Sequence, residues 1–555
     1  MKPASPHPSS SVRPEEASWE EARAASKELA ALMGIDIHHF TYPGYKADRA
    51  LLGADQKLFG HHSLAQACEV VDYFGGMGPG TGPRGKDPVL RARIRAFRKD
   101  RGWASHYLAL NAAFLAHDRQ RSIFSPFSGE DVPILGSIPL GPYQVTLLMD
   151  RGRLLVFIGI GHMPVGLYQP DENLFVILTK YTLNMRGVLG NVLAHMLSHA
   201  DLWLAWIRRA QAGPLPRAYV IGDNRPGHFI KQSLAYLDAH EAEILAFSAG
   251  GGLLVSVPDW CAMDPFTLIP SLAPLPRLQV PSDRLTETML LEGYDAHRVY
   301  RFTTHRDPAW LRRRFAALET PAARSSAASP DLLSGEGRRF RVMISIDAER
   351  QRILNQEEAF RFVLQRLGDV CAAEGRALDI VWDGWTVPDV PSKRDLEVMA
   401  RIEAMVARIT SDLALPPGQR IDIFGRSAQA KVPVVAECDL VFVTQGTGAV
   451  IPCWLLKRPT IVYHVASMVH DRSCLDDEAV FSVDQRAVGE PPSDDPLAVQ
   501  HRRFTLAPWG LEEAMGRALS SSVAITRLAA FQPVAVRPHG LADAGSGAAG
   551  PAPAP

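Results

Sequence analysis

The run Asp439-Leu-Val-Phe-Val-Thr-Gln-Gly-Thr-Gly-Ala-Val-Ile-Pro-Cys-Trp-Leu-Leu-Lys-Arg-Pro-Thr-Ile-Val-Tyr-His464 leaves the chain few ways to fold. Two short apolar stretches, each short enough for a strand buried on both faces, are separated by a glycine turn and a segment that suits one short helix. Parallel strands need such a crossover, so the pattern predicts a strand-helix-strand unit of a parallel sheet. Its turn falls at the carboxyl end of a strand. There Gly446 and Gly448 permit a sharp bend, and the opening N–H groups of the helix face outward toward an anion. A phosphate-bearing ligand is the expected occupant. The sequence lacks the G-x-x-x-x-G-K-[ST] phosphate loop, and Pro452 keeps the helix short. A plain strand-to-helix turn remains the alternative.

The same texture extends upstream. Tyr219 to Ile221, Ile244 to Phe247 and Val299 to Thr303 read as strands, with a helix from Phe229 to His240. The alternation resumes with strands at Phe340 to Ile346, Leu378 to Trp382 and Arg420 to Phe424, and helices at Glu357 to Leu367 and Asp395 to Leu413. A stretch rich in Ala, Ser and Pro, Thr320 to Gly337, reads as a linker. The expected fold class is α/β: two Rossmann-like doubly wound domains, 184–330 and 338–530, facing each other across a cleft. Upstream, 17–118 reads as mainly helical. Residues 119–183, with apolar runs at Tyr143 to Leu148, Leu154 to Ile160 and Leu174 to Leu178, read as an antiparallel β meander, followed by a helix from about Val188 to Arg209. The ends, 1–16 and 540–555, have the composition of disordered tails.

Composition narrows the function classes. With 555 residues and a 46% hydrophobic share, the chain can build several cores. Its 59 basic residues meet 60 acidic ones, giving a formal net charge of -1, so no field draws it to nucleic acid. The six cysteines form no C-x-x-C pair, no signal-peptide pattern opens the chain, and no stretch reaches the roughly 18 apolar residues of a membrane span. A cytoplasmic location with reduced thiols is expected. The histidine pairs His38-His39 and His61-His62 lack metal-ligand spacing, and no two aspartates are separated by one residue, so no metal and no other cofactor is expected. Two glycine-rich segments read as connections: Gly159 to Gly166 between strands, and Ala249 to Gly252 as a hairpin or bend.

Two further loops offer chemistry. Gly222-Asp-Asn-Arg-Pro-Gly-His-Phe229 follows a strand and opens a helix, and it places Asp223, Asn224, Arg225 and His228 where open α/β sheets bind ligands. The alternative is a turn with Asp223 capping and His228 in the first helical turn. The loop after the strand ending at Ser345 carries Arg350, Arg352 and Asn355; planar guanidinium groups match diphosphate oxygens, although a solvated loop would also hold arginines.

Taken together, Gly227-His228-Phe229, Arg350-Gln-Arg352 with Asn355-Gln-Glu357, and Asp439 to Pro459 resemble family 61-like glycosyltransferases and GT-B glycosyltransferases generally. The resemblance spans roughly Tyr219 to His464. It implies metal-independent, inverting transfer of a sugar from a nucleotide-sugar donor to the hydroxyl of a glycan or lipid-linked acceptor, in polysaccharide biosynthesis. It assigns His228 or Asp223 the role of catalytic base. Substrate contacts fall to Asn224, Arg225, Arg350, Arg352, Asn355, Gln445, Gly446, Thr447 and Gly448, with the donor held by the C-terminal domain. Gln445 stands where the family motif has histidine, which keeps a non-catalytic nucleotide- or sugar-binding subunit as an alternative. A nucleotide-sugar epimerase is another. Nothing in the resemblance covers residues 1–180, for which acceptor binding, partner binding or peripheral membrane association stay open.

Overall fold

The structure is a computed structural model. It describes residues 19–34, 69–72, 87–100, 110, 113–116, 121–160, 163–178, 185–223, 225–298, 308–318, 339–387, 391, 393–465, 477–489, 503–521, 523–524, 528 and 530–532. The protein is a mixed α/β chain with parallel sheets, and it divides into two compact units between His305 and Arg306. Both tails, the Ala/Ser/Pro-rich stretch, the two histidine pairs, Asn224 and the strand expected at Val299 to Thr303 lie outside the described residues.

The first unit joins two sheets. β1 (Glu69–Asp72), β2 (Ser122–Ser125), β3 (Glu130–Leu140), β4 (Tyr143–Asp150), β5 (Arg153–Ile160), β6 (Met163–Gln169) and β7 (Leu174–Ile177) form one sheet in the order β1-β7-β6-β5-β4-β3-β2. From β2 to β7 it is the antiparallel meander read from the sequence; β1, within the region expected to be mainly helical, adds to β7 in parallel. Alternation along the strands supplies two apolar faces. Val145, Leu147, Val156 and Ile158 join one core with Trp203 and Trp206, whereas Leu148, Leu155 and Phe157 join another with Leu90 and Ile94 of the helix Pro88–Asp100. The helix expected over Val188 to Arg209 is two, Met185–Ser198 and Ala200–Ala212, with His199 between them outside helical geometry at ψ 39.

β8 (Arg217–Ile221), β9 (Leu253–Ser256), β10 (Arg277–Gln279) and β11 (Asp295–Arg298) form a second sheet, all parallel, in the order β10-β9-β8-β11. The strand expected at Ile244 to Phe247 is instead part of the helix Glu241–Ala249. Four apolar residues in a row fit either element; Glu241 and Glu243 in the first turn complement the helix dipole, and Ile244 and Phe247 share a buried face at i, i+3. Ala249 to Gly252 is therefore a helix-to-strand turn and not a hairpin. Buried polar bonds stitch β11 to the meander. The Arg121 guanidinium pairs with Asp295, whose other oxygen accepts from Ser137 N at 2.9 Å. Gln144 donates to Ala296 O at 2.9 Å and accepts from Arg298 N at 3.0 Å.

The second unit is built on β12 (Arg339–Ser345), β13 (Ala377–Asp383), β14 (Arg420–Asp422), β15 (Leu440–Thr444), β16 (Thr460–Tyr463) and β17 (Val480–Ser482), all parallel, in the order β14-β13-β12-β15-β16-β17. Counted from β12, that is 3-2-1-4-5-6, the order of a doubly wound dinucleotide-type sheet. The helices Gln356–Ala373 and Lys393–Thr410 pack apolar faces on it: Phe360, Val363 and Leu364 from one, Ile402 and Val406 from the other. The crossover from β15 to β16 is as read, except that its helix is a 3-10 turn, Thr447–Ala449, running into a π-helical stretch, Val450–Leu455.

Candidate functional site

In a 3-2-1-4-5-6 sheet the chain runs outward in opposite directions from strands 1 and 4, which opens a crevice between the loops at their carboxyl ends. Here those loops follow β12 and β15, and they are the arginine loop and the glycine turn singled out in the sequence. The structure brings them together. A Cβ added at Gly448 would stand 3.8 Å from Ser345 Oγ, Tyr463 Oη donates to Ser345 O at 3.4 Å, and Gln445 N donates to Tyr463 O at 3.2 Å.

The glycine turn is open. Gly446 adopts φ +125, a conformation that L side chains rarely take, and nothing lies within 4 Å of where its Cβ would be. Gly446 and Thr447 are exposed and Gln445 half-buried. As the opening residues of a helical turn, Thr447 and Gly448 have N–H groups without an intrahelical acceptor.

The arginine loop is built around Asp347. Its carboxylate accepts from Arg350 N at 3.2 Å and Arg352 N at 3.3 Å, and its own N–H donates to Gln356 Oε1 at 2.7 Å. Arg350 is exposed, with Glu349 at 3.7 Å. Arg352 differs: it is half-buried, its Nε is sequestered without a hydrogen-bond acceptor, and it has no ion-pair partner among the described residues. Burial lowers its guanidinium pKa, with Asp347 pulling the other way. Asn355 spends its side chain on the chain itself, donating to Leu506 O and accepting from Leu506 N, each at 2.9 Å. It anchors the loop to the strand pair Val488–Gly489 and Thr505–Leu506.

Sequence reasoning passed over His464 and Lys431. His464 follows β16, beside the glycine turn; burial lowers its pKa, and Gln485 Nε2 donates to its carbonyl at 3.0 Å. The signal was present, since the residue directly ends an apolar strand. Lys431, 1% exposed, donates to Asp383 at the end of β13, to Trp385 O at 2.8 Å and to Thr386 Oγ1 at 2.9 Å. The acid at the end of strand 2 is thus occupied from within.

The loop Gly222 to Phe229 belongs to the first unit, at the carboxyl end of β8. Gly222 has φ +148, and a Cβ there would stand 2.9 Å from Trp260 Cβ, so crowding as well as conformation demands glycine. Asp223 N donates to Trp260 O at 2.9 Å, and Asp223 Oδ1 accepts from Arg225 N at 2.8 Å, closing a turn; Arg225 is exposed. His228 is half-buried with Nδ1 3.3 Å from Gln232 Oε1. An amide oxygen can only accept, so Nδ1 is the donor in this contact. The helix that follows passes through a π-helical segment, Phe229–Leu234, as the helix after the glycine turn does.

Among the described residues, no three His, Cys, Asp or Glu side chains are grouped to hold a metal ion, and no helix is long and apolar enough to cross a membrane. Burial pushes the thiols of Cys261, Cys371 and Cys438 up to about 12, which removes them as nucleophiles.

No protein-family model matches this chain, and no curated protein does. Several solved structures align with it in part. A trehalose-6-phosphate synthase, OtsA, shares 11% identity over 64% of this chain and 74% of its own, at a TM-score of 0.26. A UDP-forming α,α-trehalose-phosphate synthase from Burkholderia xenovorans, in complex with glucose-6-phosphate, shares 13% over 60% and 67%, at 0.24. Another from Burkholderia vietnamiensis shares 12% over 65% and 84%, at 0.25.

Proposed function

We propose that this protein is a glycosyltransferase of the family 61-like, GT-B type, moving a sugar from a nucleotide-sugar donor to a glycan hydroxyl without a metal ion. One observation carries the reading: the second unit's sheet has the 3-2-1-4-5-6 order, and its switch point is flanked by an open glycine turn and a half-buried arginine with no ion-pair partner among the described residues. Fold order alone fits many activities. The charge pattern is what selects a phosphorylated ligand.

In this mechanism the donor's diphosphate lies at the N–H groups of Gly446, Thr447 and Gly448, with Arg352 and Arg350 balancing its charge and Gln445 at its edge. Asn355 and Asp347 hold the arginine loop in place. As the acceptor oxygen bonds to the anomeric carbon, the bond from that carbon to the phosphate oxygen breaks and the diphosphate leaves with the electron pair. The acceptor proton goes to a general base, a role the family resemblance gives to His228 or Asp223. Preorganised amides and guanidinium groups would here do what a divalent cation does elsewhere.

The test is release of nucleoside diphosphate from a panel of nucleotide sugars, with and without oligosaccharide acceptors. Acceptor-dependent release supports transfer. Donor conversion without acceptor points to an epimerase. Nucleotide binding without turnover points to a binding subunit, the reading that Gln445 in the family's histidine position favours. No binding of any nucleotide discards the proposal.

A further inference from the structure

A second feature, contained in the first unit, is independent of the switch point. A cavity of about 320 Å³ opens at one end of the meander, where the turns of three alternate hairpins and the helix Pro88–Asp100 converge. Pro126 to Ser128 come from the β2–β3 turn, Asp150 to Arg153 from the β4–β5 turn, and Gln169 and Glu172 from the β6–β7 turn. This volume lies at the lower end of the range of about 300–1,000 Å³ typical of small-molecule sites.

Its lining is unusual for a gap between hairpins. Three polar side chains that face it are more than nine-tenths buried: Ser128 at 8% exposure, Asp150 at 6% and Gln169 at 3%. Ser128 Oγ has no hydrogen-bond partner among the described residues, a costly condition for a buried hydroxyl unless something occupies the cavity. Asp150 receives a bond from Ser125 Oγ at 2.5 Å. Three guanidinium groups, Arg93, Arg151 and Arg153, line the cavity with three carboxylates, Asp87, Asp150 and Glu172. The cations are already engaged: Arg93 with Phe127 O, Arg151 with Glu130, and Arg153 with Asp171 and Glu172. The wall therefore selects neither an anion nor a cation. It offers closely spaced donors and acceptors to a neutral ligand whose groups both donate and accept, beside the half-buried ring of Phe127 and the side chains of Leu90 and Leu155.

We infer that this cavity is a binding site for a neutral saccharide of one or two residues, its hydroxyls bonded to Ser128, Asp150 and Gln169 and its C–H face lying on Phe127. Hydroxyl groups are the ones that pair equally well with a carboxylate, an amide and a serine. Aromatic rings accept the less polar face of such ligands.

The full chain is titrated with maltose, cellobiose and lactose, using saturation-transfer NMR for detection and calorimetry for affinity. Glucose 6-phosphate and glucosamine serve as charged controls. At least one neutral disaccharide is expected to bind with a Kd of about 1 mM or tighter. Ser128→Ala should weaken it about fivefold to tenfold with the thermal midpoint unchanged, and Phe127→Ala by about tenfold at a somewhat lower thermal midpoint, because its ring also packs on the core. Arg153→Gln, an exposed change at the rim, provides a second variant should either of these fail to fold, and it should weaken binding by a smaller factor. The inference is overturned if no neutral sugar gives a signal at about 10 mM, where a site of about 1 mM would be nine-tenths filled. It is equally overturned if only the charged controls bind, or if all folded variants bind like wild type. Loss of nucleotide binding at the second unit would leave these outcomes untouched, so the two readings fail separately.

Discussion

Each unit has a glycine at the carboxyl end of a central parallel strand, followed by a helix with a π-helical segment, yet the two glycines answer different demands. Gly222 is pressed against Trp260, and its loop is closed on itself by Asp223 and Arg225. Gly446 has the same need for an unusual backbone conformation but nothing near where its Cβ would be, and Thr447 beside it is exposed. The first turn is packed against Trp260 and leads into His228. The second is held open and presents backbone. A positive-φ glycine after a parallel strand can thus belong to a packed pedestal or an open cradle, depending on what the next elements place against it.

That contrast can be broken most decisively at His228. His228→Ala should lower turnover about 100-fold to 10,000-fold, the range of a lost general base, while nucleotide affinity measured by calorimetry stays the same. An unchanged rate would reduce His228 to a helix-opening residue. Gly222→Ala should cost about 3–5 kcal/mol by chemical denaturation, because strain and overlap add. Gly446→Ala should cost about 1–3 kcal/mol, from strain alone. Equal costs would erase the distinction between pedestal and cradle. Arg352→Met should weaken nucleoside diphosphate binding by about 10-fold to 100-fold with little change in stability, as expected for a charged hydrogen bond. Weaker acceptor binding by the same factor would assign Arg352 a shared structural role.

The smallest effect concerns pH. His195 and His297, both in the first unit, are held neutral by burial, their pKa lowered from the ordinary 6.5 to about 3. His199 adds to this at His195 and Arg121 at His297. The folded chain therefore binds fewer protons than the unfolded one between those values. Their contribution is complete above pH 6.5 and is lost as the pH falls toward about 3. At pH 5.5 each should cost about 1 kcal/mol relative to pH 7.5. Hydrogen exchange, corrected for intrinsic rates, should show peptides of the first unit losing protection before those of the second. Simultaneous loss would mean that the two histidines are not what limits acid stability.

How much could be read beforehand differs by element. Leu440 to Thr444 and Thr460 to Tyr463 were legible because a strand buried on both faces must be apolar throughout, and the glycines between them mark the turn. Ile244 to Phe247 misled because four apolar residues carry no period, and only packing decides between helix and strand. The break at His199 leaves no trace in a pattern that stays apolar at helical spacing on both sides. The family resemblance makes Asn355 a substrate contact, but its amide closes on Leu506, 151 residues away, a pairing no local pattern reveals. The meander cavity was invisible for the same reason: its walls come from turns scattered between Asp87 and Leu174 and meet only once the hairpins stack.

The buried pair between Arg121 and Asp295 has an engineering consequence. β11 completes the first parallel sheet, but its opening carboxylate is neutralised by a residue at the edge of the meander, and its closing backbone is read by Gln144. A fragment beginning near residue 185 would lose Arg121, Ser137 and Gln144 from beside β11 and would open to water the core that Val145, Leu147, Val156 and Ile158 share with Trp203 and Trp206. The four-stranded sheet is therefore not a transplantable cassette: grafts, chimaeras and minimal fragments of this unit must carry the meander with it to fold.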